Sequence, residues 1–188
     1  MSFPIGKIVI DAIVDRLKDD NDGFNVTFNN LRVDYGVSRE SVIDFAPLDG
    51  TSKNFVLANL DPSDWVTAAN PTFPFVTLFV ESSTNQNLQK FHQFSGEVRV
   101  GLNVFLSWSN PKLRIDAFEP EASCYEETVF TVFNRARNAS PDDQNWGEEI
   151  TFNGNVSCQR TRLERGENFW RQALGFRMEF EVDQRGEV

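Results

Sequence analysis

Residues 97–108 read E-V-R-V-G-L-N-V-F-L-S-W. Val98, Val100, Leu102, Val104, Leu106 and Trp108 take every even position, with Arg99, Gly101, Asn103 and Ser107 between them. Side chains of a strand alternate between two faces, whereas at 100° per residue these six apolar groups would encircle a helix. The stretch is therefore read as a strand, central to a sheet that buries one face. Phe105 departs from the pattern by putting an aromatic ring on the polar side. A helix, a loop or a neighbouring subunit is expected to cover it, and a lone exposed ring is the plain alternative.

Upstream, the run F-P-F-V-T-L-F-V at 73–80 is apolar throughout with a proline near its start, which suits a strand covered on both faces. The polar residues 81–90 follow, and their composition predicts a mobile hairpin loop joining two antiparallel strands. Downstream, Asn110 and Pro111 end the strand; Ala122, Tyr125, Val129, Val132, Phe133 and Ala136 then recur at helical spacing. Pro120, Glu119, Glu121, Glu126 and Glu127 gather toward the start of that helix, Arg135 and Arg137 at its end, as the helix dipole favours. Ser140 to Asp143 terminate it. Asn153-Gly154 after Ile150 and Phe152 signals a two-residue hairpin. Val156, Cys158, Arg160 and Arg162 share one face of the next strand, residues 165–168 make a turn, and Leu174, Phe176, Met178, Phe180 and Val182 alternate through a last strand. The tail 183–188 is polar and frayed in this reading.

At the other end of the chain, Ile5, Ile8, Val9, Ala12, Ile13 and Leu17 make one amphipathic helix behind Pro4, stopped by the polar turn 19–23. Phe24, Val26 and Phe28, then Leu31, Val33 and Tyr35, alternate with polar residues and are read as two short strands. The pattern decays after Gly36, and residues 36–72 are read as an extended loop or arm lying across the sheet or onto a partner. The sum is a single α+β domain over residues 1–188, a mainly antiparallel sheet with two helices packed on one face.

With 18 Lys and Arg against 28 Asp and Glu, the formal charge of −10 repels phosphate backbones and disfavours sequence-reading DNA binding. Eighteen phenylalanines are roughly twice ordinary usage and favour strands and interfaces. Cys124 and Cys158 lack paired spacing and read as reduced thiols, with a disulfide between them as the alternative. Neither a signal peptide nor an apolar run long enough to span a bilayer is read, so no membrane partner is expected.

The chemistry-bearing residues form no recognisable constellation, and an enzyme is disfavoured. His92 and Cys124 are the one Cys–His pairing on offer, and an inert half-buried thiol is the ordinary reading of Cys124. Asp20 and Asp22 before Gly23 resemble a calcium loop, but its first and twelfth positions fall on Lys18 and Asn29, so no metal is expected. Asp61 with Asp64, and Glu148 with Glu149, fit a solvated surface better than an acid/base pair. No phosphate-loop, dinucleotide, zinc-protease or nucleophile-elbow motif occurs, and no cofactor is implied. Among the tryptophans Trp108 belongs to the core by register, while Trp65, Trp146 and Trp170 are candidates for core or subunit contact, or for stacking on sugars.

The order of these elements resembles the tail terminator, or tail completion, proteins of long-tailed bacteriophages. The resemblance rests on the opening helix I-V-I-D-A-I-V-D-R-L-K at 8–18, the strand F-P-F-V-T-L at 73–78, the long strand ending L-S-W-S at 106–109, the helix after it, and the closing strand F-R-M-E-F-E-V at 176–182. About two-thirds of the chain takes part, and residues 36–70 stay unmatched. The likeness implies a virion protein, a ring of typically six copies at the head-proximal end of the tail. Its expected partners are itself, the tail tube protein and the head–tail connector, with DNA passing through the lumen unread. The polar loop 82–94 and the Phe105 side of the sheet are expected at the contacts. A head–tail adaptor or baseplate component is the nearest alternative, and a carbohydrate-binding module the alternative from another class.

Overall fold

The computed structural model describes residues 5–45, 52–59, 61, 72–86, 93–109, 118–138, 146 and 149–185. The alternating stretch is the heart of a 16-residue strand, β3 (Gln93–Trp108), and its six even-numbered apolar side chains are all buried. It sits in a six-stranded sheet between β2 (Phe75–Asn85) and the long closing strand β6 (Trp170–Arg185), antiparallel to both. On the far side of β6 lie β4 (Ile150–Arg160) and the two-residue β5 (Glu164–Arg165). Beyond β2, the two-residue β1 (Phe55–Val56) adds the one parallel pairing among the described residues. The register places Val98 opposite Phe180, Val100 opposite Met178 and Leu102 opposite Phe176, so the even-numbered rows of both strands share one apolar face.

Among the described residues three helices occur where two were expected. α1 (Ile5–Lys18) and α3 (Phe118–Asn138) match their sequence periodicity, and their buried residues join the even-numbered rows of β3 and β6 in one hydrophobic cluster. The third, α2 (Phe24–Leu31), replaces the first of the two predicted short strands; Arg32 to Gly36 form turns in place of the second. Phe24 and Phe28 stand two apart in an alternating pattern from Val26 but also four apart from each other, which is one face of a helix. The ring of Tyr125 on α3 decides between the periods: it stacks on Phe28 at 4.2 Å and on Phe24 at 6.1 Å. Tertiary packing of this kind outweighs the β-propensity of single residues.

The region read as an arm is held to the body wherever it is described. Asn25 and Asn29, one turn apart on α2, each donate a side-chain amide to a carbonyl, of Ile43 at 2.8 Å and of Ser41 at 3.2 Å. Each also accepts, from the Ile43 N–H at 3.0 Å and the Ser41 N–H at 2.9 Å. Two side-chain amides thus take the place of a neighbouring strand for an extended segment whose backbone groups would otherwise lack partners. From the other side Asn54 donates to the Val42 carbonyl and accepts from the Asp44 N–H. Ile43 and Phe45 are buried beneath, and Val42 faces solvent.

Two turn readings also change. The polar residues 82–85 continue β2, paired with 96–99 of β3, because an exposed strand needs only its backbone ladder to persist. The rest of that expected loop, 87–92, falls outside the described residues. Asn153-Gly154 makes a bulge and no hairpin: Phe152 pairs with Phe180 and Val156 with Met178, so 153–155 stand out from a single strand. Gly154 at φ +76° supplies the left-handed residue that the signal announced.

Candidate functional site

β2 is covered on both faces as expected: Val76 and Leu78 on one side, Phe75, Thr77 and Phe79 on the other, are buried. The second of these faces belongs to the odd-numbered side chains of β3 and β6, and it is the part of the molecule with chemistry left over. Its middle is self-contained. The Phe79 ring lies over Gly101, directly opposite it, where any side chain would collide. The Arg177 guanidinium lies 5.6 Å from the Phe79 ring, donates to Asn103 Oδ1 at 3.2 Å and pairs with Glu81. Arg99 pairs with the Glu179 opposite it at 2.7 Å.

The two ends of this face are not closed in that way. At one end a cleft of about 270 Å³ is lined by Phe73, Phe105, Thr161, Arg171 and Gln172, and by the carboxylates of Asp61 and Glu164. Phe105 is half-buried here, so the ring that broke the alternation is a cleft wall. Arg171 is stacked: its guanidinium carbon lies 4.3 Å from the Phe169 ring centre and 5.3 Å from that of Phe73. No hydrogen bond or ion pair to a described residue accompanies this stacking, and Nε is buried without an acceptor. Glu164 is its direct cross-strand neighbour, yet no ion pair joins them. At the opposite end a depression of about 490 Å³ is lined by Glu97, Glu149, Glu181 and Asp183, with no Lys or Arg among its lining residues. Glu97 and Glu181 are direct cross-strand partners, an arrangement of like charges that costs stability until a cation approaches.

The sequence candidates are scattered. Cys124 is fully buried on α3 and burial pushes its thiol up to about 12, the reverse of an activated nucleophile; its suggested partner His92 lies outside the described residues. Cys158 is a second free thiol, pushed up to about 11 by burial. The calcium-like turn is a helix stop: Asp22 holds Arg16 at 2.7 and 3.1 Å, and Asp19 accepts from the Asn21 and Asp22 N–H groups, which lower its carboxyl below the ordinary value. Asp64, Trp65 and Glu148 lie outside the described residues, which leaves Asp61 at the cleft and Glu149 in the acidic depression. Trp108 is core and donates Nε1–H to Glu121 at 2.6 Å. Trp146 is 2% exposed among Phe133, Phe152 and Phe180, so it offers no surface to a sugar. Trp170 is half-buried against Phe118, with Arg165 over its ring.

Among the described residues no group of three His, Cys, Asp or Glu is placed to hold a metal ion, and no helix is long and apolar enough to cross a membrane. Arg171 carries no sequence signal, because its cleft is assembled from Phe73, Phe105, Thr161 and Glu164, which are far apart in the chain. No protein-family model matches the chain, and no curated protein matches it.

Proposed function

We propose that the chain is a structural component of a long-tailed phage particle, a ring that caps the head-proximal end of the tail tube, stops its growth and presents a docking surface to the head. The observation that carries the reading is the order of the main elements: the opening helix α1, β2 and β3 on each side of a polar connection, α3, and the long strands β4 and β6, with α2, β1 and β5 set among them. This is the order on which the resemblance to tail terminators rests. Function by contact also suits a sheet face with an aromatic cleft at one end and an acidic depression at the other, since rings join through two different surfaces on each subunit. The net charge of −10 suits a channel that DNA passes without adhering. A head–tail adaptor or a baseplate component would use the same features. The sugar-binding alternative loses Trp146 to the core and much of Trp170 to Phe118 and Arg165.

The test is a polymerisation assay with tail tube protein. Substoichiometric amounts of the chain are expected to arrest elongation and leave a ring at one tube end in negative-stain images. Tubes that grow to the same lengths with and without it would sink the proposal.

A further inference from the structure

We propose that copies of this chain meet head to tail across the outer sheet face, the stacked guanidinium of Arg171 in one copy receiving the carboxylates of Glu97 and Glu181 of the next. Arg171 brings a planar fork that lies against the rings of Phe169 and Phe73 and makes no ion pair with a described residue. Such a fork is preorganised for a carboxylate and loses little rotamer freedom on binding one. Glu97 and Glu181 bring two carboxylates held side by side, with no Lys or Arg among the described residues that line the depression. Asp61 and Glu164 line the cleft beside Arg171, so recognition comes from the stacked fork and the aromatic walls and not from a positive field.

The two half-sites lie ten residues apart along β6, about 33 Å. One molecule therefore cannot bring its own Glu97 and Glu181 to its own Arg171. Two copies facing each other by a twofold axis would use one patch twice; here two different patches meet, and such a contact either closes into a ring or grows into a filament. The choice of a ring rests on the function proposed above; the contact itself does not.

The experiment is light scattering on the full chain and on two variants with neutralised half-sites, Arg171→Ala and the double variant Glu97→Gln, Glu181→Gln. Wild type is expected to form one closed oligomer. Each variant alone is expected to run as a monomer, its association weakened about tenfold or more. Mixed one to one, the variants still hold one intact cleft and one intact acidic end between them, and the mixture is expected to give dimers and nothing larger. That dimer also shows that both variants are folded. Assembly of either variant like wild type, a mixture that stays monomeric, or a monomeric wild type would each overturn the contact. Capping of tail tubes is read separately. Wild-type oligomers that need these residues but leave tubes growing would remove the proposed function and keep the contact, and capping that survives Arg171→Ala would do the reverse.

Discussion

Gly96 shows how a single missing side chain sets the spacing of the sheet. A Cβ there would collide with the backbone carbonyl oxygen of Thr84 on the neighbouring strand, and a backbone oxygen cannot swing aside as a side chain does. Gly96→Ala is therefore expected to force β2 and β3 apart and to lower stability by about 1–3 kcal/mol, visible as a lower urea midpoint at unchanged slope. At Cys124 the expected effect is chemical. Burial holds the thiol near 12 where an ordinary one lies at 9.0, so at pH 8 it should resist a disulfide reagent until the chain unfolds. The sign of the pH dependence follows: the unfolded thiol ionises from about 9, the folded one only near 12, so stability falls as pH rises through that window. Cys158 and Tyr35 add to the fall, Cys158 pushed to about 11 by burial and Tyr35 to about 12 by its hydrogen bond to Glu127. Urea midpoints that stay level from pH 8 to about 10.5 would contradict this account.

α2 is the element where local pattern and final structure part. Phe24, Val26 and Phe28 obey period two, Phe24 and Phe28 obey the helical spacing of four, and eight residues are too few to choose. The choice is made by Tyr125, about a hundred residues away, and no window of sequence contains that fact. β3, β6, α1 and α3 were legible because each repeats one period long enough to exclude the other. Asn153-Gly154 was legible as a left-handed position but not as a bulge, since the same dipeptide serves either, and pairing of both flanks with β6 settles it. The aromatic cleft was illegible for a further reason: its walls come from residues 73, 105, 161 and 171 to 173, which only the fold brings together. If α2 holds the 41–43 segment by its two asparagines, replacing Asn25 by alanine leaves the Ile43 N–H and carbonyl without those partners. A loss of about 1–3 kcal/mol is expected, with faster hydrogen exchange at the Ile43 amide. Unchanged exchange there would mean that the segment is held by burial of Ile43 and Phe45 alone.

At the scale of the whole molecule, folding and assembly are one equilibrium if the head-to-tail contact forms. Anything that binds only the folded chain stabilises it by mass action, and in a ring the ligand is the chain itself. For six copies unfolding together, each tenfold rise in protein concentration adds about 1 kcal/mol per copy. In a chain of this size that is a rise in Tm of about 2–4 °C. Wild-type Tm should therefore climb across a hundredfold concentration series, whereas Arg171→Ala, with its half of the contact removed, should melt at one temperature throughout. The comparison separates the guanidinium's part in assembly from any part in the fold: a purely structural Arg171 would lower Tm at every concentration and leave the slope intact. A flat wild-type series would show that Arg171 of one copy and Glu97 and Glu181 of the next do not meet in solution, and both the contact and the ring built from it would fall together.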